Sequence, residues 1–295
     1  MRDGHDQEGT NRTGASNRVA VEDAPGRDYP SYRLEPGEGV SLGEIDPDET
    51  EHYRKKKEAA GELEKQRKRI QGLQARLYAE NKRGLLIVLQ AMDTGGKDGT
   101  IKHVFSGVNP QGCRVSSFKR PSPEEANHDF LWRYHKSAPA RGRIGIFNRS
   151  HYEDVLVVRV KSLVPEEVWR HRYRLINDFE RNLTNDGISV LKFYLHISRG
   201  EQKRRLQSRL DDPDKRWKFS SADIKERAFW DDYQAAFEDA LTNCSTEHAP
   251  WYVVPANKKW YRNLVVARTI ADTLAAIDPQ FPPAEEGLEK VHIPD

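Results

Sequence analysis

Thiols are scarce in this 295-residue chain, and Cys113 and Cys244 alone cannot build a disulfide framework or a thiolate metal site. No apolar run approaches the ~20 residues needed to cross a bilayer. The opening residues, Met1-Arg2-Asp3-Gly4-His5-Asp6, hold no apolar core for export. Excess charge is absent too: 48 Lys and Arg stand against 46 Asp and Glu, a formal net of +2. So even a balance excludes a general nucleic-acid binder, and any polyanion site must be a local basic patch. His128 and His135 have no partner at metal-ligand spacing, and no Ser/His/Asp or Cys/His nucleophile stands out. These absences predict a cytoplasmic, reduced, soluble protein with neither membrane nor nucleic acid as partner.

What is present is an alternation of strand and helix. Residues 1–28 are polar and predict a disordered tail. Residues 29–49 read as an irregular segment draped over the domain and anchored by Tyr29, Tyr32 and Leu34. Glu51 to Lys82 reads as a long charged helix with Leu63, Ile70, Leu73 and Leu77 as a narrow stripe. That stripe can pack on its own domain or on a partner subunit. Strands are expected at 84–90, 113–118, 144–147, 188–197 and 251–254, and a closing helix carries Leu264, Ala267, Ile270, Ala271 and Leu274. Ser122 with Glu125 and Ser198 with Glu201 have capping-box spacing. The pattern predicts a five-stranded parallel α/β sheet with helices on both faces and ligands at the carboxyl ends of its strands. The main α/β domain is expected over 83–280, with a tail over 281–295.

The most informative stretch is Ala91-Met92-Asp93-Thr94-Gly95-Gly96-Lys97-Asp98-Gly99-Thr100, between the apolar run Gly84–Gln90 and a helical pattern. A glycine-rich turn from strand to helix aims backbone N–H groups at one spot, where Lys97 adds a full positive charge. Against the phosphate-loop pattern G-x-x-x-x-G-K-[ST], Ala91 replaces the first glycine and Asp98 the hydroxyl residue. The alternative is an ordinary βα turn with a solvated lysine.

The third strand ends in Asn148-Arg149-Ser150-His151-Tyr152-Glu153-Asp154, where phosphate-loop proteins usually place a magnesium carboxylate. Arg149 and Glu153 could instead pair on a solvated turn. After the fourth strand, Arg199, Lys203, Arg204, Arg205, Arg209, Lys215, Arg216 and Lys218 outnumber Glu201, Asp211, Asp212 and Asp214 by eight to four. A basic segment there reads as a lid, at about 205–228, that closes over phosphates.

Together, Met92–Lys102, Phe147–Asp154 and Asp212–Ser220 resemble the family-2 polyphosphate kinases, in three motifs in the right order. The resemblance implies a P-loop kinase-like, thymidylate-kinase-like fold with a helical lid. It implies transfer of a terminal phosphoryl group between inorganic polyphosphate and nucleoside mono- or diphosphates. Carried over by motif, Asp93 and Glu153 would hold Mg²⁺ (or Mn²⁺), Lys97 the transferring group, and Arg149 further phosphates. Arg205, Arg209, Lys215 and Lys218 would line the polyphosphate channel. Gly95, Gly96, Asp98, Gly99, Thr100, Lys102, Arg120 and Asn148 complete the expected phosphate-binding set. Asn148 departs from many relatives, where aspartate is common; with Glu153 it resembles the subgroup that accepts AMP and ADP. Guanine nucleotides are further candidate acceptors, and a homodimer or homotetramer is expected. Two alternatives stay open: an ATP-dependent nucleoside monophosphate kinase, and a non-catalytic polyphosphate-binding module.

Overall fold

A computed structural model describes residues 29–294; the expected tail 1–28 lies outside the described residues. In chain order the helices are α1 (Lys56–Glu80), α2 (Lys97–Val104), α3 (Pro123–Ala126), α4 (Trp132–Ser137), α5 (Val157–Val160), α6 (Glu166–Asn185), α7 (Arg199–Asp211), α8 (Ser221–Arg227), α9 (Trp230–Cys244) and α10 (Lys259–Ile277). The strands are β1 (Gly84–Gln90), β2 (Cys113–Ser117), β3 (Ile144–Asn148), β4 (Ile188–His196) and β5 (Trp251–Pro255). They form one parallel sheet in the order β2-β3-β1-β4-β5.

Every residue of β1 is buried, as a strand covered on both faces requires. The chain leaves β1 toward β2 and leaves β4 toward β5, so the two loops part at the sheet's switch point, where a crevice opens. On one side α1, α2 and α10 pack together; α6 lies on β4 and against α9. The α1 stripe meets α10 of its own chain: Ile70 and Leu77 are buried, while Leu63 and Leu73 are partly so. The first of the two readings of that stripe therefore holds for this face.

The segment before α1 is a strap. Leu34 N–H donates to the Trp251 carbonyl and Val253 N–H to that of Tyr32, which covers the β5 edge. Tyr29 bonds Asp272, and Tyr32 donates to Glu49 at 2.9 Å. Two local expectations need correction. The long helix starts at Lys56, because Glu51 has positive φ and Lys55 is extended. At Ser198 only half the capping box forms: its Oγ accepts from Glu201 N–H, while the Glu201 carboxylate turns to Arg204 and Arg205.

Candidate active site at the ends of β1 and β3

The turn out of β1 is tight. Gly95 N–H donates to the Met92 carbonyl at 2.9 Å, Thr94 has φ 63°, and Gly96 has φ 104°. A Cβ on Gly96 would stand 1.9 Å from the Arg262 guanidinium, so only glycine fits there. As N-cap of α2, Gly96 supplies no capping side chain, and the first-turn N–H groups have no intrahelical acceptor. That is an anion site in the making.

Lys97 reaches back over the loop, its Nζ donating to the Ala91 carbonyl at 3.2 Å. Burial lowers the pKa of this ammonium, and Arg149 lowers it further; Asp93, Glu153 and Asp98 oppose both. Arg149 follows β3 in a left-handed conformation (φ 62°) and its Nη2 lies 3.3 Å from Asp93 Oδ1. Its ion pair thus runs to Asp93 of the phosphate loop. Burial opposes its charge, but Glu153 and Asp93 outweigh burial and raise its pKa. Glu153 accepts from Gln90 Nε2 at 3.0 Å. Asp93, Arg149 and Glu153 share a cavity of about 180 Å³ with Met92, Leu156, Gln202, Glu226, Tyr233 and Phe237. A larger, shallower groove on α7, about 650 Å³, shares none of these residues.

Other expected residues sit less directly. Asn148 donates to Asp98 at 2.7 Å and ties the β3 end to α2. Lys102 is exposed on α2, and Arg120 is exposed beyond β2, two strands from the phosphate loop. Arg209 pairs with Asp223 at 3.7 Å, and exposed Lys215 pairs with Asp212. Lys218 closes the turn Pro213–Lys218.

Two placements differ from expectation. Thr100 is fully buried and its hydroxyl donates to the Gly96 carbonyl, so it shapes α2 instead of facing a ligand. Arg205, expected to line a channel, is 7% exposed, and five donations engage it with the protein. These go to Glu201 and to the carbonyls of Thr94, Gly95, Ala256 and Asn257. It staples the end of β5 to the phosphate loop.

Arg262 escaped the sequence reading. It is 1% exposed, donates to the Gly95 carbonyl at 3.3 Å and to Asn263, and backs the loop from α10. Burial, with Arg205 nearby, pushes its pKa down to about 9. The strand-end rule would have found it, since α10 opens just after β5.

A phosphate loop after β1, a cationic β3 end and a basic segment after β4 define a P-loop kinase-like α/β protein. Residues 53–282 match the family model "Polyphosphate kinase 2 (PPK2)". The chain is 53% identical over 263 residues to an AMP/ADP-polyphosphate phosphotransferase of Meiothermus ruber, covering 89% of this chain and 98% of that one. It is 45% identical over 269 residues to an ADP-polyphosphate phosphotransferase of Rhodopseudomonas palustris, covering 85% and 91%. The crystal structure of polyphosphate kinase 2 from Arthrobacter aurescens TC1 superposes with TM-score 0.84 at 45% identity, covering 88% and 93%. The chain belongs to the polyphosphate kinase 2 family.

Proposed function

We propose that this protein moves the terminal phosphoryl group between inorganic polyphosphate and AMP or ADP, with guanine nucleotides as further acceptors. The observation that carries the reading is the convergence of Lys97, Arg149, Asp93 and Glu153 at adjacent strand ends. An acceptor phosphate oxygen is already ionised near neutral pH, so no general base is required. The chemistry needs crowded negative charge neutralised and the reacting groups held in line. Lys97 and the α2 N-terminus would hold the transferring group, and Arg149 the facing phosphates. The basic residues of the lid would cover them and exclude water.

The donor set fits Mg²⁺. Among the described residues no cluster of three or more His, Cys, Asp or Glu could hold a metal. A magnesium ion carried in on phosphates needs only one or two protein carboxylates, and Asp93 and Glu153 supply hard oxygens in one cavity. When bound, the ion would neutralise charge on the phosphates. Cytoplasmic location and self-association belong to the same proposal. No helix among the described residues is long and apolar enough to cross a membrane.

The test offers purified protein Mg²⁺ and polyphosphate with AMP, ADP, GMP or GDP separately, and separates the nucleotides formed. ADP and ATP are the expected products from the adenine acceptors. Product only when ATP replaces polyphosphate would favour the ATP-dependent alternative. Tight polyphosphate binding with no product from any acceptor would favour the non-catalytic module.

A further inference from the structure

Behind the β3 end lies a charged cluster that the chemistry above does not use. Lys192 stands mid-way along β4 and is fully buried. Its ammonium donates to Glu180 Oε2 at 2.6 Å, to Tyr152 Oη at 2.8 Å and to the Cys244 carbonyl at 2.6 Å, so all three N–H groups are engaged. Tyr152 Oη in turn donates to Glu180 Oε1 at 2.9 Å, and His151 Nε2 lies 3.0 Å from the same oxygen. Lys192, Glu180, Tyr152 and His151 are all 0% exposed. A fully desolvated ion pair is a costly way to fill a core that apolar side chains could fill.

Its place suggests what it does. His151 and Tyr152 are the residues between Ser150 and Glu153, in the single turn His151–Asp154 that Ser150 caps one residue after Arg149. Arg149 holds a left-handed backbone that a non-glycine residue keeps only when its surroundings over-determine it. Ser150 Oγ accepts from Tyr152 N–H, Arg149 N–H donates to the Leu89 carbonyl, and the Tyr152 ring meets Trp251 edge-on. From β4, α6 and α9, the buried network grips the two side chains whose backbone must turn Arg149 and Glu153 outward.

We propose that Glu180, Lys192 and Tyr152 are positioning residues that aim Arg149 and Glu153 into the cavity, acting through the turn His151–Asp154. This rests on the phosphoryl-transfer reading of that cavity. Transfer from polyphosphate to ADP is measured with Mg²⁺ for the wild type, Tyr152→Phe and the charge-neutral double variant Glu180→Gln/Lys192→Met, with thermal midpoints on the same preparations. Both variants should keep KM for polyphosphate within twofold while kcat falls at least tenfold. In an Arg149→Lys background the Tyr152→Phe effect should shrink to within twofold, because the aim of the native guanidinium is already lost. Should the double variant fail to fold, Tyr152→Phe, which removes one oxygen, decides alone. Wild-type kcat in Tyr152→Phe, or a loss that persists undiminished beside Arg149→Lys, overturns the assignment. A wild type that makes no ATP from polyphosphate would instead overturn the functional reading.

Discussion

Two sets of cations surround the phosphate loop, and they differ in what holds them. Arg205 and Arg262 are 7% and 1% exposed, and both donate to backbone carbonyls of the loop or of the β5 end. Arg149 and Lys215, at the β3 end and the lid, have side chains 42% and 56% exposed, each facing a carboxylate. The buried set builds the loop, and the exposed set is free to meet a substrate. Identical charges in the sequence thus divide by solvent access and by the number of donors already engaged.

The comparison breaks hardest at the loop itself. Lys97→Ala or Asp93→Asn should abolish transfer while leaving the thermal midpoint within a few degrees. Loss of one such charge-stabilising contact costs roughly 2.7–4 kcal/mol of barrier, by analogy with an oxyanion-hole donor, or about 100- to 1000-fold in rate. Wild-type turnover in either variant would remove Lys97 and Asp93 from the chemistry.

A third buried cation, Lys192, sharpens the contrast through pH. Burial raises the Glu180 carboxyl pKa, but Lys192 and His151 outweigh burial and hold it below the ordinary value. A carboxylate with a depressed folded pKa contributes stability that is present above its unfolded pKa, ~4.3, and is lost as pH falls through the folded value. Breaking a buried pair by removing one partner costs about 3–5 kcal/mol. Glu180→Gln should therefore be much less stable than wild type at neutral pH by urea unfolding, with the gap closing below about pH 4. A gap that widens on acidification would contradict the assigned direction.

Arg205→Ala tests the staple. Removing one member of a nearly buried pair should cost about 3 kcal/mol, or about 6–12 °C in a chain this size. Transfer should fall with it, because the Thr94 and Gly95 carbonyls lose their clamp. Unchanged stability with lowered polyphosphate affinity would return Arg205 to the channel wall.

How much of this was legible in the residues follows the same divide. The buried strands β1, β3, β4 and β5 and the phosphate loop announce themselves, because a strand covered on both faces is a mainly apolar run and the loop is a local pattern; β2, half-exposed at the sheet edge, is no such run. Periodicity also placed α1, yet not what it packs on, since a stripe of four apolar residues does not name its partner. The roles of Thr100 and Arg205 were hidden because hydrogen bonds to backbone carbonyls across the fold leave no mark on spacing. Glu180 was visible in principle: it continues the core-facing series Trp169, Tyr173, Ile176 on α6, where a carboxylate demands a buried cation. Lys192 inside an otherwise apolar strand was the matching half.

The smallest expected effect belongs to the lid. Lys215 is 56% exposed, and it pairs with Asp212, three residues away. Surface pairs of this kind contribute little to stability and are screened by salt. Lys215→Ala should leave the thermal midpoint unchanged. If the lysine meets polyphosphate, KM for the polymer should rise a few-fold at low ionic strength and the difference should fade at 0.5 M salt, on the order of where the Debye length falls below 5 Å. KM for the nucleotide should not move, since Lys215 does not line the cavity that holds Arg149 and Glu153. An equal KM for polyphosphate at every salt concentration would place the exposed lid lysine outside the channel, and the division between building and binding cations would then run through the β3 end alone.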